Sequence, residues 1–147
     1  MLAPMPEHPW DVRTEPARGF YMNPGVFAAY SGLDSLRGFQ KGWSLPPPIH
    51  YLYGQTFVDV GPEGALFTMP ASPWLLPPQG VISGATLALL ADGPLGCSVQ
   101  VALPPATPYT TSEISMTFLR PVAADNRLIT GTGRLIHAGR TLSLIHI

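Results

Sequence analysis

Between Gly64 and Ser112 the chain carries a single charged residue, Asp92. A carboxylate in an apolar run is solvated, paired or functional, and desolvation makes it a stronger base. Eight positions earlier stands Ser83-Gly84. Ser83 suits a helix N-cap, its hydroxyl accepting from an amide of the first turn. Gly84 is then the first helical residue, with an unpaired N–H at the positive end of the helix. A carbonyl placed there gains a donor and a dipole aimed at the charge that grows on its oxygen during attack, and glycine lets it approach the backbone closely. The plainer readings are a packing glycine and a carboxylate bonded to a neighbouring loop. Eight helical residues span about 12 Å, so one carbonyl cannot touch both residues. If both act on it, they come from two chains, Gly84 of one facing Asp92 of the other.

These residues need elements to hold them. Val81 to Leu90 is apolar almost all round and reads as a helix buried on most faces. Pro94 removes the donor for the Leu90 carbonyl and biases Gly93 away from helical angles, which predicts a kink or helix end just after Asp92. Tyr51–Val60 and Gly64–Met69 are strand candidates around Gly61-Pro62-Glu63, and Pro70–Gly80 is a loop. Further candidate strands are Ser98–Leu103, Thr110–Leu119, Leu128–His137 and Arg140–Ile147. Thr111, Glu113, Ser115 and Thr117 alternate with Ile114, Met116 and Phe118, the period of a strand with one buried face. The class is α+β: an antiparallel, one-sided sheet around a central apolar helix. Ahead of this domain, taken as 51–147, residues 1–24 read as an extended arm, 25–42 as an amphipathic helix and 43–50 as a proline-rich linker. Asn23 is the N-cap of that helix, Pro24 its first turn and Gly32 its interruption.

Composition bounds the function. The 147 residues are 46% hydrophobic and 12% charged, with 18 prolines and a net charge of -1. That is one domain, able to bury roughly 68–70% of its unfolded surface without staples. The eight cations, of which Lys41 is the only lysine, form no basic run, which disfavours nucleic acid and anionic membranes as partners. One cysteine and four scattered histidines give no metal-ligand spacing. The apolar stretch near Val81–Ala91 is too short to span a bilayer, and the N-terminus lacks a signal peptide's basic and apolar regions. These features together indicate a cytoplasmic protein with no metal and no cofactor.

Pro78-Gln79-Gly80-Val81-Ile82-Ser83-Gly84-Ala85 followed by Leu89-Leu90-Ala91-Asp92 resembles the helix motif of acyl-CoA thioesterases of the phenylacetate-degradation (PaaI-like) type, which have the hotdog fold. Thr110-Thr111 through Phe118-Leu119-Arg120-Pro121-Val122 and Arg134-Leu135-Ile136-His137-Ala138-Gly139-Arg140 resemble that family's next two signatures, in order. The resemblance covers about residues 45–142. Ser83 and Ala85 stand where the family has His and a second Gly, which alters the usual substrate-positioning group. The resemblance implies an oxyanion-hole role for Gly84, a general-base or nucleophile role for Asp92, and a water-holding hydroxyl at Thr111. Ser83 and Ala85 would flank the substrate. Because guanidinium forks suit phosphate oxygens, Arg140, and with it Arg120 and His137, are candidates to meet coenzyme A phosphates, the plainer readings being a strand-end charge for Arg120 and a strand histidine for His137. The resemblance also implies a homodimer or homotetramer. Relatives continue beyond Gly139-Arg140 through a strand, a turn and another strand. The expectation is therefore a truncated chain whose residues 142–147 are substitute sequence, with an open sheet edge.

Hydrolysis of an acyl-CoA is the leading function. The alternatives are a dehydratase or hydratase on the same fold, whose usual His is replaced by Ser83, and a non-catalytic acyl-CoA binding protein. Glu113 is a possible second carboxylate, solvated on its strand. Cys97 reads as a small buried hydrophobe with no base or cation to make a thiolate, and His8 and His50 receive no role. The acyl preference depends on how Phe67, Trp74, Leu75, Leu76 and the N-terminal helix pack.

Overall fold

Alternation in Gly64-Ala65-Leu66-Phe67-Thr68-Met69-Pro70 sends Ala65, Phe67 and Met69 to one side, and all three are buried. In the computed structural model, which describes residues 16–19, 23–139 and 143–146, this segment is an inner strand of an antiparallel sheet. Four strands follow one another across the sheet: β1 (Thr56–Gly61), β2 (Gly64–Pro70), β3 (Leu128–His137) and β4 (Leu144–His146). A two-residue turn, Pro62-Glu63, joins β1 to β2, and a bulge at Val58 lies between the Phe57 and Asp59 pairs. Between β2 and β3 the chain crosses the sheet with its long helix, Gly84–Gln100.

Three short helices precede the sheet: α1 (Pro24–Ala29), α2 (Gly32–Gln40) and α3 (Pro48–Tyr53). The long helix is α4. The break between α1 and α2 falls at Tyr30-Ser31, where a second N-cap begins. Ser31 Oγ accepts from the Asp34 amide, as Asn23 Oδ1 does from Gly25 in α1. Gly32 lies so close to the end of α4 that a Cβ there would stand 1.7 Å from the Gln100 carbonyl oxygen. Phe57 and Phe67 meet edge to face at 5.1 Å, and Leu36, Val60, Met69 and Leu90 complete the core.

Several expectations from the sequence are corrected. The proline-rich linker read over 43–50 is helical from Pro48, which takes the first turn of α3, where its missing N–H costs nothing. Tyr51–Tyr53 are thus helical, and the first strand starts at Thr56. Ser98–Leu103 is no strand, because α4 runs on to Gln100. Thr110–Leu119 is extended but joins no ladder, and all of it except Met116 is exposed. The 1–24 arm falls mostly outside the described residues, as do Arg140 and the ends of the strand read over 140–147, of which Leu144–His146 is β4.

Of the kink or helix end expected just after Asp92, the helix end is overturned, for a reason visible in the packing. α4 continues through Pro94, and the Leu90 carbonyl that Pro94 deprives of a donor accepts instead from Gln55 Nε2 at 3.1 Å. Gln55 is buried and its Oε1 accepts in turn from Tyr53 Oη at 2.6 Å. Gly93 admits this side chain, since a Cβ there would come within 2.7 Å of Gln55 Nε2. A fully buried Ser98 donates to the Pro94 carbonyl at 2.7 Å. The opposite wall is equally bare: a Cβ on Gly133 of β3 would lie 2.2 Å from the Pro94 carbonyl oxygen. Burial of α4 is confined to Leu90, Ala91, Pro94, Leu95 and Ser98, a single face rather than most of its circumference.

Candidate active site

Of the buried face of α4, nothing is left for chemistry; the reactive groups lie on its other sides. Asp92 is exposed, in contrast to the desolvated carboxylate expected from the apolar run. The reason is that the sheet covers only the Leu90-Pro94 face. The extended segment 110–119 runs past the exposed side, and Thr111 Oγ1 donates to Asp92 Oδ1 at 2.8 Å. Two residues separated by 19 positions are therefore joined directly, and both line a groove of about 480 Å³. Glu113, Met116 and Leu119 line the same groove, with Ile145 and His146 of β4 on its far side.

The charge of Asp92 reaches other groups. Burial, followed by Asp92, pushes the Tyr53 hydroxyl and the Cys97 thiol up to about 12. Cys97 is thus held as a thiol, in keeping with its reading as a small hydrophobe. The Tyr109 hydroxyl is raised as well, by burial first, then by Cys97 and Asp92.

At the other end of α4, the Ile82 amide donates to Val122 and the Ser83 amide to Leu75, which fixes the entry of the chain into the helix. Ser83 occupies the N-cap position with extended angles, but its hydroxyl caps no amide, contrary to expectation. The Gly84 amide has no hydrogen-bond partner among the described residues, and the Phe118 ring lies against it, 3.0 Å from where a Cβ would stand. Ala85 beside it is exposed. The helix therefore presents free donors at Gly84 and a carboxylate at Asp92, about 12 Å apart along one axis.

The remaining candidates are not gathered here. Arg120 is exposed at a bend before Pro121, and His137 is exposed at the end of β3. Neither forms a side-chain hydrogen bond or ion pair among the described residues; the ion pair seen there joins Arg127 to Asp125. No cluster of His, Cys, Asp and Glu among the described residues could hold a metal, and no helix of the described residues is long and apolar enough to cross a membrane.

The second half of the chain carries a likeness to a known family. Residues 79–147 match the family model of the thioesterase superfamily. Comparison with curated proteins and with solved structures gave no match. The matched stretch begins just before α4 and includes Gly84, Asp92, Thr111, β3 and β4. An antiparallel sheet with α4 on its face is the hotdog architecture of the thioesterase superfamily, and thioester hydrolysis is the activity to which the likeness points.

Sequence reasoning missed Gln55 and Tyr109. Gln55 sits in a stretch read as a plain strand, and only the donor lost at Pro94 could have pointed to a compensating side chain. Tyr109 follows Pro108 in a segment without periodicity, so no pattern marked it.

Proposed function

We propose that the protein hydrolyses an acyl-CoA thioester to a free acid and coenzyme A, as a cytoplasmic enzyme related to the PaaI-like thioesterases. The observation that carries this reading is the 2.8 Å hydrogen bond from Thr111 to Asp92 on the wall of an open groove. A donor on Oδ1 fixes the carboxylate and leaves Oδ2 free to take a proton from water. Water attacks the thioester carbon, and its proton passes to Asp92. The carbonyl oxygen becomes an oxyanion facing the Gly84 amide of a second subunit. Collapse breaks the C–S bond, and the departing thiolate takes up a proton. Ser83 and Ala85 border that oxyanion position. Arg120, His137 and Arg140 are the side chains assigned to the coenzyme A phosphates in this reading.

The second subunit is needed because one helix cannot bring Gly84 and Asp92 to one carbonyl. Ile114, Phe118 and Leu119, between 40% and 88% exposed, offer apolar surface beside the groove for such a homodimer, or a homotetramer built from it.

Thiol release from a panel of acyl-CoAs tests the activity. Asp92→Asn removes the base and is expected to lower kcat by about 100-fold or more, with little change in stability because the side chain is exposed. Near-normal turnover in this variant would remove Asp92 from the mechanism. Tight acyl-CoA binding without thiol release in the parent protein would make it a binder.

A further inference from the structure

Asp92, Gly96 and Gln100 succeed one another at four-residue intervals and share a face of α4. Residues 107–111 run alongside that face in the opposite sense. Thr111 bonds to Asp92, the Tyr109 ring lies 3.4 Å from where a Cβ on Gly96 would be, and Tyr109 Oη bonds to Gln100 Oε1 at 3.1 Å. Gly96 has no side chain of its own, so the Tyr109 ring is what stands over this stretch of the helix face. Beyond the ring is a second cavity, of about 350 Å³, within the range of small-molecule sites. Its walls include Phe27 of α1, Tyr30 just after that helix, Ser35 of α2, Leu103, Pro108 and Tyr109 itself. Neither Phe67, which is in the core, nor Trp74, which is 78% exposed, contributes to it.

We propose that Tyr109 is the specificity-determining residue of the hydrolysis, ending the acyl track at Gly96 and shutting the apolar cavity beside Phe27 and Tyr30 off from Asp92. This rests on the thioesterase reading of the Asp92 site. An acyl group whose carbonyl is at Asp92 and whose chain follows the helix meets the ring one turn on, about 6 Å away. Short acyl groups fit in that space. A medium chain needs the distance to Gln100, about 12 Å, and the cavity behind it, whose lining matches a hydrocarbon in chemistry. The ring is held by its contact with Gly96 and by the bond to Gln100, so it acts as a fixed stop.

Thiol release from acetyl-, hexanoyl-, decanoyl- and palmitoyl-CoA by the parent chain and by Tyr109→Ala tests this. The parent is expected to favour the two shorter substrates. In Tyr109→Ala the ratio of kcat/KM for decanoyl-CoA to that for acetyl-CoA rises about tenfold or more, the scale on which an apolar pocket discriminates chain length. Ser35→Phe, which fills the cavity from its far wall, added to Tyr109→Ala brings the ratio back down. If Tyr109→Ala fails to fold, Tyr109→Leu carries the same test with less volume lost. An unchanged ratio in a folded variant that still hydrolyses acetyl-CoA overturns the role of Tyr109 and leaves the hydrolase reading standing. Absence of thiol release from every substrate, in parent and variants alike, overturns both.

Discussion

Gly84 carries its proposed chemistry in a backbone amide, which no ordinary side-chain replacement removes. Proline does remove it. Position 84 is the first residue of α4, where proline's missing donor and fixed φ are tolerated. Ser83 before it already has φ -58° and ψ 135°, angles that a following proline accepts. Gly84→Pro is therefore expected to fold with a melting temperature near that of the parent, the half-exposed Phe118 ring shifting to make room. Its turnover should fall by about 100- to 1,000-fold, the loss typical of one oxyanion donor; thiol-release kinetics beside a thermal melt separate the two effects. His50 offers a different handle. Burial lowers its pKa from the ordinary 6.5, and its Nδ1 has no partner. As pH falls, the unfolded chain takes this proton first. The contribution of neutral His50 is therefore complete above pH 6.5 and is lost as pH drops toward the folded-state value. Melting temperatures between pH 7 and pH 5, on the order of the usual histidine range, should fall less steeply for His50→Phe, which keeps a ring against Phe67.

The Gly93-Pro94 step is where element-level reasoning from sequence met its limit. Proline does strip the Leu90 carbonyl of its helical donor, and of the two outcomes expected, a kink or a helix end, the helix end does not occur. The missing hydrogen bond is supplied from Gln55, 35 positions earlier, and no local pattern encodes such a partner. Coupling between the two positions is therefore expected. Gln55→Leu leaves the buried Leu90 carbonyl unpaired and should cost about 1–3 kcal/mol by denaturant unfolding. In a Pro94→Ala background, where the helix regains its own donor, the same change should cost less, a double-mutant cycle giving the difference. The bounds of β3 were legible in the sequence, Leu128–His137 lying between Asp125-Asn126 and Gly139. Residues 110–119 alternate and form no strand, because a ladder needs a partner edge that alternation alone does not supply. Within the site, Asp92 stood out as a lone charge, and its partner Thr111 was named only through family resemblance; their contact depends on the path of a loop. The ring of Tyr109 had no pattern at all.

At the scale of the whole molecule, the proposed donor Gly84 and proposed base Asp92 lie about 12 Å apart on one helix, so the proposed reaction calls for two chains. In a two-chain site, each chain lends Gly84 to one centre and Asp92 to the other. Mixing Gly84→Pro with Asp92→Asn chains after unfolding and refolding together would give hybrids with one doubly damaged centre and one intact centre. Random pairing should then restore about a quarter of parental activity from two nearly inactive proteins. Assays of each variant alone and of the mixture check this. Activity no greater than the mean of the two parents would place both groups in one chain or remove one of them from the reaction.

The absence of a ladder along residues 110–119 has a consequence for timing. Thr111 fixes Asp92 from a segment whose backbone makes no hydrogen bond to β4 or to any other described strand. Such a segment opens at a small free-energy cost, whereas β2 and β3 open only with the core. The proposed base is therefore held by a hydroxyl on a segment that opens more readily than the sheet. In hydrogen exchange its amides would be the first to label, and a bound thioester would be recorded there as slowed exchange before any change reached the strands.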